Sequence, residues 1–159
     1  MGGDGPVSPE QREATTPVLL WFVHYAHESL PLEPLRHQAN AALPLCLGRP
    51  GSETAVLPQL QEIEINLVDD RTIAEVHGEF LDDPDPTDVI TFHHGEIFVS
   101  VETAARAAAE HGLPLENELL RYVVHGLLHL NGHTDGDPDC RVAMHRIQEE
   151  IVTTVSAPD

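Results

Sequence analysis

Between Val123 and Asp135 the chain reads VVHGLLHLNGHTD, and no other segment constrains the possible folds as tightly. Apolar residues before and within it keep helical spacing, which predicts a helix from Leu115 to about Leu130. His125 and His129 stand four apart and therefore project from one face of that helix. Gly132 follows at the point where the helix should stop, since glycine accepts the left-handed backbone that ends a helix and reverses the chain. A residue about ten places after His125 can then return to the histidine face. Asp135 stands there.

Two imidazoles so placed can take adjacent vertices of a tetrahedral Zn2+ at ~2.0 Å each. With 11 histidines in 159 residues, one such pair is expected by chance, so the glycine and the returning carboxylate carry the weight. His133 competes for the third position. On an unbroken helix it would lie roughly 12 Å from His125 along the axis, whereas two ligands of one zinc have donors within about 4 Å. An early turn is its only route, so Asp135 is the expected third ligand, His133 the runner-up and Asp137 further behind. A carboxylate makes the site harder and less selective than a third imidazole. Zinc peptidases built on this spacing place Glu directly after the first His as general base. Gly126 stands there instead, and the ordinary peptidase mechanism is excluded.

The charge bears on partners. Lys+Arg number 8 against 27 Asp+Glu, a formal net charge of -19, and every basic residue is Arg. Such a chain is repelled by nucleic acid at low salt. Either the surface is adapted to a salty cytoplasm, where the Debye length shrinks to ~3 Å at 1 M, or the partner is not nucleic acid. Aromatic residues are only 4%, leaving the core to Leu, Val, Ile and Ala. Cys46 and Cys140 show no CxxC spacing and read as buried or incidental thiols of a reducing compartment. No signal-peptide pattern opens the chain and no apolar run approaches the ~20 residues that span a bilayer, so a soluble, cytoplasmic protein is expected.

Residues 1–16 lack apolar periodicity and are expected to form a disordered arm, with one domain over 17–155. Pro17–Tyr25 reads as a buried strand. Ser29–Leu47 has helical spacing, with Pro31 and Pro34 in its first turn and Pro44 expected to kink or end it. Glu62–Val68 (EIEINLV) alternates strictly, predicting a strand with one buried face. Asp69 or Asp70 caps a helix through about Glu79, followed by an acidic loop at Asp82–Pro86. Val89–Phe92 and Glu96–Ser100 form a hairpin through His93, His94 and Gly95, where adjacent His93 and His94 diverge and are poor joint ligands. Helices at Glu102–His111, Leu115–Leu130 and Asp139–Val152 follow, the last capped by Asp137 or Asp139. The expectation is one α/β (α+β) domain, a mixed sheet of about four strands against about five helices, with the metal in a cleft.

These residues together resemble the YbeY family, bacterial endoribonucleases and ribosomal RNA maturation factors. His125–Gly132 (HGLLHLNG) agrees with the family's H-G-x-L-H-L-x-G, and Asp135 stands at its third-ligand position. Pro86–Phe92 (PTDVITF), Gly95–Ser100 (GEIFVS), Val68–Asp70 and Gln148–Ile151 resemble further family segments in the same order, over about Glu62–Val152. The resemblance implies a small α/β fold, zinc as cofactor, and cleavage of single-stranded RNA in small-subunit ribosomal RNA maturation and ribosome quality control. It also implies ribosomal RNA and small-subunit components as partners, with no membrane and no DNA. Where the family commonly carries Tyr-Arg, this chain has Phe80-Leu81. Arg121, four before His125, is the candidate replacement as a phosphate contact, against a plainer ion pair with Glu118 or Asn117. Thr87 and Asp88 are candidates to line the cleft, with Asp88 equally suited to cap or brace the loop. A ribosome-associated assembly factor with a structural zinc is the alternative reading, favoured by Leu81 and the acidic surface.

Overall fold

The computed structural model describes residues 16–25, 30–81 and 88–156. The predicted arm before Thr16, the start of the first helix at Ser29, the Asp82–Pro86 loop and Thr87 lie outside them, as does the side chain of Leu81. Four strands form one mixed sheet: β1 (Val18–Val23), β2 (Glu62–Val68), β3 (Val89–Phe92) and β4 (Glu96–Ser100). Their spatial order is β1-β2-β4-β3, with β1 parallel to β2, β2 parallel to β4, and β3 antiparallel to β4. Five α-helices accompany them: α1 (Leu32–Leu47), α2 (Asp70–Leu81), α3 (Val101–His111), α4 (Leu115–Leu130) and α5 (Pro138–Ser156). The architecture is the expected α/β one. No helix among the described residues is long and apolar enough to cross a membrane.

The main core lies on one side of the sheet. Ile63, Ile65 and Leu67 of β2 and Ile97 and Val99 of β4 meet Leu35 and Leu43 of α1, Met144 and Ile151 of α5, and the length of α4. Leu119, Leu120, Val123, Val124, Leu127, Leu128 and Leu130 are all fully buried, so α4 is a central helix walled on most sides. Only one stripe of it can face open space, and the histidines occupy that stripe.

Strict alternation in β2 suggested one buried face, but its second half is buried on both. Val68 joins Ile73 of α2 and Ile90 of β3 in a small second cluster, because α2 folds back over the other face. Asn66 is buried there with its hydrogen bonds met: His24 Nε2 donates to Oδ1 at 2.9 Å, and Nδ2 donates to the Ile97 carbonyl at 3.4 Å. Pro44 does not end α1, which runs on to Leu47. Asp69 caps α2 by accepting from the Thr72 amide at 2.8 Å. Asp137 does the same for α5 from the Cys140 amide at 3.0 Å, and that helix extends four residues past the expected Val152. Cys46 is buried in the main core, which pushes its thiol pKa up to about 12, while Cys140 is exposed.

Candidate metal centre

The last two turns of α4 carry His125 and His129 with ring centroids 4.6 Å apart and planes nearly perpendicular at 85°. Beyond it the chain reverses at Asn131 and Gly132. Asn131 is fully buried and donates from Nδ2 to the Cys46 carbonyl at 2.7 Å, which ties the turn to the end of α1. Gly132 has φ +94°, a left-handed value that side chains resist, and a Cβ there would meet the Ser52 amide nitrogen at 2.8 Å. Ser52 Oγ donates to the Gly132 carbonyl at 2.9 Å from outside. The reversal is thus held on both flanks, and it delivers Asp135 to the histidine face.

Asp135 Oδ2 lies 3.6 Å from His125 Nε2 and 3.5 Å from His129 Nε2, and the two Nε2 atoms are 3.1 Å apart. One donor atom from each of the three residues falls within 4.8 Å of the others. His133 is brought elsewhere. Its Nε2 sits 2.5 Å from the Arg49 carbonyl, and only its own carbonyl faces the site.

The outer nitrogens determine what the inner ones present. His129 Nδ1 lies 3.0 Å from the His133 carbonyl, which only accepts, so Nδ1 carries the proton. His125 Nδ1 lies 2.9 Å from Gln148 Oε1. The Gln148 amide is oriented by its other end, where Nε2 donates to Glu149 Oε2 at 3.2 Å. With their Nδ1 atoms engaged on the outside, both imidazoles turn Nε2 inward, toward each other and toward a carboxylate. Burial first, and then the neighbouring His125, hold the His129 imidazole below its ordinary pKa, while Asp135 pulls the other way. Two ring nitrogens and a carboxylate oxygen converge on one point. A shared cation suits such an arrangement, and outer hydrogen bonds of this kind fix the tautomer of ligating histidines. Donors of two nitrogens and one oxygen suit zinc better than magnesium or calcium.

Gln148 escaped the sequence reading as a positioning group. Its signal was a polar residue on the apolar stripe Met144, Gln148, Ile151 of α5, buried despite its amide. Arg121 is placed beside the site, but its guanidinium is occupied. Nε donates to both Glu149 oxygens at 3.0 and 2.9 Å, and Nη1 reaches Glu118 at 3.3 Å and Asn117. The ion-pair role is the one its contacts display, and through Glu149 and Gln148 it braces His125.

Gly126 has a packing reason that its missing base did not suggest. A Cβ there would meet the Ile97 side chain at 2.8, 3.0 and 3.2 Å, so α4 sits against β4 at a distance only glycine allows. Gly126→Ala is expected to cost about 1–3 kcal/mol by overpacking, read as a lower denaturant midpoint with unchanged slope. An unaltered midpoint would mean that the helix and strand have slack.

The trio stands between two adjoining clefts. One is lined by Arg121, Tyr122, Arg141 and His145, the other by His77, Thr91 and His93. Asp88, Val89, His125 and Asp135 line both. Asp88 therefore lines the cleft, as one of its two sequence readings had it. His94 turns away to Glu96 at 2.9 Å.

Known proteins resemble this one over most of its length. The family described as Endoribonuclease YbeY matches residues 27–156. Endoribonuclease YbeY of Rhodopirellula baltica is 43% identical over 96 residues, covering 54% of this chain and 50% of the relative. That of Myxococcus xanthus is 34% identical over 115 residues, 62% of this chain and 39% of the relative. That of a Synechococcus species is 36% identical over 108 residues, 58% and 68% respectively. The chain thus spans half or less of the length of the first two. The solution structure of TM1509 from Thermotoga maritima superposes with a TM-score of 0.59 at 26% identity, covering 87% of this chain and 89% of that one.

Proposed function

The chain belongs to the YbeY family, and from that premise we propose that it is a zinc-dependent endoribonuclease acting on single-stranded RNA. Its place would be in small-subunit ribosomal RNA maturation and ribosome quality control in the cytoplasm, with ribosomal RNA and small-subunit components as partners. The observation that carries the reading is the convergence of His125 Nε2, His129 Nε2 and Asp135 Oδ2, one possible ligand atom from each residue within 4.8 Å of the others. These three would hold the zinc, and Gln148 and the His133 carbonyl would orient the two imidazoles. Three protein ligands leave a coordination position for water or substrate, which distinguishes a catalytic site from a closed structural one. When bound, zinc supplies charge stabilisation at a phosphoryl oxygen and acidifies its water.

The cleft runs past the trio on both sides. That shape suits a strand entering on one side and leaving on the other, as cleavage within a chain requires. Gly126 offers no proton acceptor beside His125, so peptide hydrolysis of the ordinary zinc type has no base. The net charge of -19 favours one competing reading, an assembly factor in which the zinc is structural.

The readings part experimentally. Cleavage of internally labelled single-stranded RNA should stop on chelation, spare duplex RNA and leave peptides intact. Asp135→Ala should weaken zinc binding far more than His133→Ala, whose ring is engaged at Arg49. The reverse ranking would show that His133 swings into the site on loading. Zinc and ribosomal binding without any RNA cleavage would establish the assembly-factor reading instead.

A further inference from the structure

An acidic chain that binds RNA needs a local cation to meet phosphate. Seven arginines lie among the described residues. Five of them, Arg36, Arg49, Arg71, Arg106 and Arg121, are paired with carboxylates at 3.5 Å or closer. Arg121, the candidate phosphate contact of the sequence, is among the most thoroughly engaged, with Glu149 on Nε and Glu118 on Nη1. Arg141 and Arg146 stand in no ion pair among the described residues, and of these two Arg141 lines the cleft beside His125 and Asp135.

Arg141 is exposed near the start of α5, and its Nε makes one long hydrogen bond, 3.4 Å, to the Asp135 carbonyl. A guanidinium has five N–H donors, so most of the fork remains for a ligand. Its charge also reaches Asp137, whose carboxyl is held low chiefly by hydrogen bonds from Cys140. His145 lies four residues on, also exposed, and lines the same cleft.

We propose that Arg141 is the phosphate-binding residue of this cleft, gripping a phosphodiester of single-stranded RNA adjacent to the one at the trio, with His145 beside it. The assignment rests on the endoribonuclease reading above and moves the phosphate contact from Arg121 to α5. The Asp135 hydrogen bond would aim the fork along the cleft, so this unpaired cation and the candidate metal ligand come from one short stretch of chain.

The test uses the zinc-loaded full chain, a labelled single-stranded RNA oligonucleotide and several salt concentrations. Arg146→Ala removes the same charge from the same helix outside the cleft and serves as the control. Arg141→Ala should raise KM about tenfold at low salt with kcat within twofold, zinc content unchanged. The slope of log affinity against log salt should fall by about 0.7, one single-strand phosphate contact, and Arg141→Lys should recover part of the loss. Arg146→Ala should match the parent protein. Arg141→Ala behaving like Arg146→Ala, or losing zinc, would overturn the assignment while leaving the endoribonuclease reading standing. A parent protein that neither binds nor cleaves RNA would overturn both.

Discussion

His129→Ala should reduce bound zinc from near one per chain to near none while leaving the fold intact. The imidazole is the more enclosed of the pair, its Nδ1 proton is committed to the His133 carbonyl, and its Nε2 faces both other donors. The His133 ring is in no position to replace it, being held at the Arg49 carbonyl. Losing one of three ligands should weaken binding more than about a hundredfold, beyond the 10–100-fold typical of an outer partner. Gln148→Ala belongs in that smaller range, because it frees the His125 ring without removing a ligand. The fold should survive because the main core is built from α1, α3, α4, α5 and the sheet, with no contribution from the trio. Metal analysis and circular dichroism on the purified variants read both halves. Undiminished zinc in His125→Ala and His129→Ala alike would remove the foundation of the site.

Gly132→Val should be the most damaging single change at the turn. Valine meets two penalties at once: a left-handed backbone at φ +94° that a β-branched side chain resists, and a Cβ 2.8 Å from the Ser52 amide nitrogen. Ser52 is hard to displace, since the 48–58 loop is itself bonded to the turn, with the Gly51 amide on the Asn131 carbonyl at 2.9 Å and the Val56 amide on the Leu130 carbonyl at 2.7 Å. Strain and overpacking together come to about 3 kcal/mol or more, a fall in Tm of roughly 10 °C for a domain of this size. Asp135 hangs from the same turn, so zinc affinity should drop as well. Thermal melting and zinc titration of one preparation test both effects, and a variant that melts with the parent would show that the loop yields freely.

Which features were readable in the sequence follows from how local their causes are. His125, His129 and Gly132 sit on one helix and its stop, and i,i+4 geometry with a glycine reversal needs no distant information. The hairpin at His93–Gly95 and the termination of α3 at Gly112 are equally local. What escaped depends on partners far along the chain. Val68 and Asn66 are buried because α2 and His24 cover the second face of β2, which alternation within one strand cannot express. Gln148 and Glu149 come to the site from α5, more than twenty residues from the histidine and arginine they hold. Gly126 was legible as a missing base but not as the contact with Ile97 that excludes a side chain. Arg121 was read with its helical neighbours Glu118 and Asn117, whereas its strongest partner is Glu149.

The proposed role of His125, His129 and Asp135 is to hold the metal required for internal cleavage of RNA. A covalently closed circle of single-stranded RNA tests it most directly, because a circle offers no end and only an internal cut alters it. The zinc-loaded protein should convert the circle to a linear product, with the conversion abolished by chelator and by His129→Ala. A circle left intact by protein that carries its full zinc would contradict the claim.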